Sequence, residues 1–470
     1  MSFATDSDGF ITAELLAQWQ HALDERGLRA TGSPAHDAYL DDLVERLRAA
    51  GVEGVRTEPI PMRRWTPQGW SLRVGDAELP TISPVSYSGA TGADGVTGIL
   101  STEPAPGVIG VVRVGLPPYA AGMFDTLDWD APRLPTHPSG YDPGEAYERV
   151  WLSQDEMRVQ LARFRDADAA GLIIAVDLPG AELESAYLLY DGVHRGMPAL
   201  FVGREAGDAV FAAAAGREPA TLTLTAVVED AVTRNIVGII PGASDELVVL
   251  QSHTDGTNGL EDNGPEAIIA MAQHLAARRA GELPRSILIL LSTGHFAIEE
   301  AWGVEAFLAG HRETLVPKIA AAISLEHLGA GVAPEGRNGH KPDQDFEFGC
   351  CFSTKHRPVI DAMRAALDQA QVTESRVVRP FVPDLTGRSP DGTTWPGDGG
   401  PFWHAAGLPS ANFITGPGYL LNVEPVEQFI DVAALRRQLI AFTDAVLTLA
   451  ATPWEDLRES ASSEEAASVA

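Results

Sequence analysis

Three apolar runs in the second half of the chain end in residues able to bind a metal or move a proton. ELVVLQS is followed by His253-Thr254-Asp255 and then by Asp262-Asn263-Gly264. SILILLS leads through Thr293 to Gly294-His295-Phe296, and IAAAISL ends at Glu326-His327. His, Asp and Glu converging from separate strand ends make the donor set of a zinc ion with one open position. An Asp two residues beyond a ligating His is placed to hold the ring's other nitrogen. Without a metal, the same imidazole and carboxylates make a hydrogen-bonded acid–base cluster. Singly, each residue has a plain structural reading. A strand-end His is usually a hydrogen-bonded packing residue, Asp262-Asn263-Gly264 is a turn and helix cap, and Glu299-Glu300 is a solvated helix start. The combination is what argues for a site.

The elements that must position these residues alternate strand with helix after about residue 230, as in a layered α/β domain whose ligands sit at the carboxyl ends of the strands. ELVVLQS, SILILLS, IAAAISL and PSANFI read as buried strands. Pro265 to Arg279 reads as a helix with Ile268, Met271, Ala272 and Leu275 inward. At the other end of the chain, Thr12 caps a helix carrying Leu15, Leu16, Trp19 and Leu23, and Ser33-Pro34 starts a second that Gly51 stops. VRTEPIPMRRW is extended. From about residue 76 the texture changes to short β-prone runs rich in Gly and Pro, among them GVIGVVRVG, AGLIIAV and ATLTLTAVV. Leu116 to Gly144 reads as a long irregular loop of the kind that forms a functional lid or a flexible edge.

A chain of 470 residues suggests two domains. Its 65 acidic and 34 basic residues give a net charge of −31, which repels phosphate backbones and anionic membranes and argues against nucleic-acid binding. No apolar run approaches the ~20 residues of a membrane span. The start, MSFATDSDGF, lacks the basic and apolar regions of a signal peptide, so a cytoplasmic protein is expected. The two cysteines, Cys350 and Cys351, are adjacent and read as half-buried free thiols rather than a disulfide or a zinc site.

QSHTDG…EDNGPEAIIAMAQHL resembles the His-x-Asp…Asp-Asn-Gly segment of metallopeptidase family 28, the zinc aminopeptidases and glutamate carboxypeptidases. RNIVGIIPG, ISLEHLG and GDGGPFWHAAGLPSANF are similar to that family's entry strands, acidic-ligand strand and last region. The stretch 76–229 is similar to the protease-associated (PA) domain that many members carry as an insert. The resemblance implies a three-layer α/β/α mixed-sheet aminopeptidase-like domain over 1–75 and 230–455, an inserted β-rich PA-like domain over 76–229, and a flexible acidic tail over 456–470. It also implies that His253, Asp262 and Glu326 are metal ligands and that Asp255 orients His253. Where the family has Gly-Glu-Glu, this chain has Gly294-His295-Phe296, and where it has a final Tyr-His it has Tyr419-Leu420. A second zinc therefore loses its own ligands. The expectation is at most one zinc per chain, or none, with His295 as the general base at an ordinary imidazole pKa; a fourth metal ligand and a hydrogen-bonded structural histidine stand beside that role. The expected activity is hydrolysis of amide-type bonds in a small molecule or short peptide. Open beside it stand a non-catalytic small-ligand-binding protein and non-peptidase chemistry such as a lyase or a lactone- or ester-opening reaction. Trp395, Phe402, Trp403 and Phe413 are candidate walls of an apolar pocket.

Overall fold

The computed structural model describes residues 9–80, 82–130, 142–278, 281–332, 347–372 and 375–458. The strands that end in the candidate residues lie side by side in one sheet. Across it the order is Ser375–Val378, Gly349–Ser353, Ser410–Thr415, Ile319–Leu325, Leu247–His253, Ser286–Ser292 and then Pro219–Ile240. The four from Ser410–Thr415 to Ser286–Ser292 run parallel, so their carboxyl ends share one edge. Gly349–Ser353 runs against Ser410–Thr415, and Pro219–Ile240 runs against Ser286–Ser292, which makes the sheet mixed.

Both faces of this sheet are covered, which is why its strands are apolar throughout instead of alternating. Ile287, Ile289 and Leu291 join the core under the helices Ala13–Asp24, Pro34–Ala49, Gly264–Ala276, Arg357–Gln369 and Val432–Ala451. Leu288 and Leu290 pack on the other face with Val304, Phe307 and Phe402 from Gly303–Gly310 and Gly400–His404. Each fully buried Leu or Ile contributes about 1.5–3 kcal/mol relative to exposure. The caps are those the sequence signals: Thr12 Oγ1 accepts from Leu15 N–H, and Ser33 Oγ accepts from His36 N–H ahead of Pro34.

One antiparallel ribbon joins this sheet to a second half. Glu53–Val74 pairs with Pro219–Ile240 almost end to end, Glu53 opposite Ile239 and Val74 opposite Ala220. Position 229 falls inside that unbroken strand. At its far end, Pro219–Leu222 pairs with Val96–Ile99, and the sheet continues through Ile109–Val114, Gly171–Val176, Ala199–Val202 and Ile82–Pro84. This half is itself layered. The helix Arg204–Ala215 covers one face, and Gln154–Arg165, through Met157, Leu161 and Phe164, covers the other. Both helices lie in a stretch that its short β-prone runs marked as β-rich.

The segment expected to be an irregular loop holds a short helix, Met123–Leu127, followed by Asp128, which bridges to Val378 of the first sheet and is reached by Arg364 of the helix Arg357–Gln369 at 2.9 Å. Residues 131–141 of that segment lie outside the described residues, as do 459–470 of the expected tail. Cys350 and Cys351 are free, and both are fully buried rather than half-buried, because the Gly349–Ser353 strand lies inside the sheet. No helix among the described residues is long and apolar enough to cross a membrane.

Candidate metal centre

The shared strand edge brings together His253, His295 and Glu326, each from a different strand. His253 is the last residue of Leu247–His253, and Glu326 directly follows Ile319–Leu325. His295 is reached through Gly294, whose φ of 89° lies in the left-handed region. A Cβ there would stand 2.0 Å from the Ala301 carbonyl oxygen, so only glycine turns the chain into the site at this point. The rings of His253 and His295 stack, with centroids 4.0 Å apart.

Asp262 does not join them. Its carboxylate is taken by Arg29, which donates from Nε at 2.7 Å and again from the second guanidinium nitrogen, with both side chains fully buried. Burial lifts the Asp262 carboxyl to about 6 against the Arg29 charge. The acid that faces the cluster is its neighbour Glu261, whose Oε1 lies 3.1 Å from His295 Nε2 and 3.8 Å from His327 Nε2. Two overlapping triplets of donor atoms result, each within 4.8 Å of one another: His253–Glu261–His327 and His253–His295–Glu326.

The tautomers of two rings follow from their partners. His253 Nδ1 lies 3.0 Å from the Asp255 carbonyl and His327 Nδ1 lies 2.7 Å from the Thr415 carbonyl. A carbonyl only accepts, so both rings donate from Nδ1 and leave a lone pair on Nε2. Residue 255 thus orients His253 as expected, but through its backbone oxygen. The Asp255 carboxylate instead accepts from Thr31 Oγ1 and from the Phe296 N–H, and burial raises its pKa to about 6. His327 adopts φ 55°, a left-handed conformation that turns its ring back towards Glu261. Such backbone costs of the order of 1 kcal/mol or more and concentrates at functional sites.

His295 is held at both nitrogens, by Asp398 at 3.1 Å on Nδ1 and Glu261 at 3.1 Å on Nε2. The second contact is close but poorly aligned, since neither Glu261 oxygen receives a hydrogen bond. Burial opposes protonation, yet these two carboxylates push the ring well above the ordinary imidazole range, correcting the expectation of an unperturbed pKa. Burial and the charge of His295 hold His253 down at about 4, so it stays neutral. Burial and the charge of Asp398 lift Glu326 to about 7. Glu326 Oε1 is fixed by the Asp398 N–H and by Asn412, and Oε2 faces His253 Nε2 at 4.0 Å.

Whether these residues fit a metal ion is decided by what they leave unpaired. His253 Nε2, His327 Nε2, both Glu261 oxygens and Glu326 Oε2 are buried without a hydrogen-bond partner. Each such group costs about 1–3 kcal/mol, and more when charged. Imidazole lone pairs and carboxylate oxygens gathered in two buried triplets that share His253 are the nitrogen–oxygen donor set that suits zinc. The residues present fit the ion. Gly397 guards the arrangement: at φ 102°, its Cβ would stand 2.9 Å from Glu326 Oε1 and 2.8 Å from Asn412 Oδ1. Gly397→Ala should therefore cost about 1–3 kcal/mol of stability, read from denaturant unfolding. A loss under 0.5 kcal/mol would show that Glu326 and Asn412 yield freely.

Beside the centre is an apolar cavity of about 130 Å³, onto which His295 and His327 open. Its walls are not the four aromatic residues expected from the sequence. Trp395, Phe402, Trp403 and Phe413 are packed in the core, and Phe124, Trp151, Phe348 and Phe352 line the cavity instead. Glu261, His327, Asp398 and Arg29 were not singled out as site residues by sequence reasoning. Glu326-His327 and the Gly-flanked Asp398 carried a usable signal, whereas nothing local marks Arg29.

No family model and no curated protein matches the chain by sequence. Solved structures do match. The zinc aminopeptidase BSAP of Bacillus subtilis is 16% identical at TM-score 0.64, over 93% of this chain and 94% of that one. A peptidase M28 precursor from Shewanella amazonensis SB2B is 18% identical at TM-score 0.63, over 94% and 96%. An aminopeptidase from Aneurinibacillus sp. strain AM-1 is 16% identical at 0.58, over 93% of each chain. At these identities the likeness is one of fold, and it spans nearly the whole length of both partners.

Proposed function

We propose that this chain, built on the zinc-aminopeptidase fold, is a hydrolase of amide-type bonds in small molecules or short peptides, working with one zinc ion. The observation that carries the proposal is the set of buried, unpaired donor atoms facing one another at the strand edge. His253, Glu261 and His327 are assigned to hold the ion, and Glu326 Oε2 is the further donor beside them. Asp262 is assigned no contact with the ion, because Arg29 already neutralises it. A zinc ion held by these residues would supply Lewis acidity, polarising a substrate carbonyl and lowering the pKa of a water.

The remaining work falls to the protein's own groups. His295 is the proton-transfer residue: it opens onto the cavity, its Nε2 is the mobile site, and Asp398 fixes the ring from Nδ1. The stacked Tyr190 ring, 5.3 Å from that of His295, keeps the imidazole plane in place. The apolar cavity excludes water from the side where the substrate is seated.

The test is elemental analysis of chain purified without chelator, joined to a panel of amides, esters and short peptides. One zinc equivalent and turnover of an amide are expected. His295→Ala should lower turnover by about 10²–10⁴-fold, the usual worth of a positioned acid–base group, while zinc content stays at one. Two equivalents of zinc would overturn the one-ion assignment. Inertness across the panel, with tight binding of small ligands, would replace the hydrolase with a binding protein.

A further inference from the structure

We infer that the site, taken as the hydrolase just described, selects substrates that seat a neutral ring-sized group beside the reacting bond and carry a blocked amine, not a free N-terminal ammonium. The size comes from the cavity. At about 130 Å³ it is close to the ~150 Å³ of an apolar protein cavity that stays dry and takes up benzene, so it holds one ring. Its walls come from both halves of the molecule: Phe124 and Trp151 from the segments beyond the ribbon, and Phe348, Phe352 and Ile414 from the first sheet.

The charge preference comes from what the walls lack. Among the described residues, the imidazoles of His295 and His327 are the only ionisable side chains lining the cavity apart from Tyr147, Tyr190 and Cys350, and no carboxylate does so. Every nearby carboxylate among the described residues has work elsewhere. Asp398 holds His295, Asp255 accepts from Thr31 and Phe296, and Glu347 is paired with Arg149. Glu261 and Glu326 face the metal centre. A substrate ammonium would be buried against aromatic rings with no carboxylate on the cavity wall to act as its counter-ion. An acylated amine needs no counter-ion.

The experiment compares two probes on the zinc-loaded full chain by calorimetric titration: N-acetyl-phenylalaninamide and phenylalaninamide. It is run at pH 6, where an α-amine is charged. At least tenfold tighter binding of the acetylated probe is expected, and equal or tighter binding of the free amine overturns the inference. Leu152→Trp, which adds a ring to the cavity wall, should weaken binding of the acetylated probe at least tenfold. Unchanged affinity in that variant, with melting behaviour like the parent, also overturns it. Turnover is scored separately. A preserved preference without cleavage supports the inference and removes the hydrolase reading. Cleavage without the preference leaves the hydrolase and removes the inference.

Discussion

Arg29→Met will lower the free energy of unfolding by about 3–5 kcal/mol, the usual effect of stranding one member of a buried ion pair. Arg29 and Asp262 are both fully buried, and the guanidinium meets the carboxylate through two of its nitrogens. Arg29 also donates to the Asn258 carbonyl at 2.8 Å and lies over the Tyr39 ring at 5.6 Å. Methionine fills much of the volume but leaves Asp262 as an uncompensated charge at the base of the metal centre. Arg29→Met combined with Asp262→Leu should recover most of the loss, because replacing a whole buried pair by apolar side chains is often neutral. Urea unfolding of the two single variants and the double variant gives the coupling directly. Additive losses would mean that the two residues act independently and that the pair does not organise the site.

Removal of the donor common to both triplets should have the second large effect. Free zinc at a thousandfold excess over its dissociation constant stabilises a protein by about 4 kcal/mol if it binds only the folded state. The parent chain should show that gain in denaturant unfolding with and without zinc, and His253→Ala should lose nearly all of it. Zinc content of the purified variant should fall from one equivalent to near zero. The fold itself should survive, since His253 Nε2 makes no protein hydrogen bond and the single Nδ1 contact is worth about 1 kcal/mol. A zinc-dependent gain in His253→Ala as large as in the parent would place the ion elsewhere.

The elements of the first sheet were legible because nothing competes with them. SILILLS and IAAAISL are apolar on both faces, and the strands they form run from Ser286 to Ser292 and from Ile319 to Leu325. Thr12 and Ser33 were legible as caps because a hydroxyl three residues ahead of a free N–H is a local signal. The assignment of acids to the centre was not local. Glu261 and Asp262 are adjacent and chemically alike, and Arg29, some 230 positions earlier in the chain, decides which of them is withdrawn. His327 was obscured for a different reason. Past a strand end, alternation places it opposite Glu326, but its left-handed backbone turns the ring back to the same centre. The helices Gln154–Arg165 and Arg204–Ala215 were hidden by the Gly- and Pro-rich runs around them, which dominate the local texture.

The ribbon that joins the two halves also sets a timetable for synthesis. Glu53 leaves the ribosome long before Ile239, its partner, is made. At about 5–20 residues per second the strand Glu53–Val74 waits unpaired for of the order of 10–40 s. An exposed strand of that length, with Ile60, Trp65 and Trp70 along it, invites pairing with other nascent chains. Its own sequence blunts the hazard. Pro59, Pro61 and Pro67 remove ladder donors, and Arg56, Arg63, Arg64 and Arg73 place like charges along it. These residues are tolerated in the finished sheet because the strand remains at an edge, where among the described residues the one strand paired with its other side is Ala77–Glu78. The prolines and arginines thus protect the chain during the interval in which the first of its two long strands has been made and the partner strand has not.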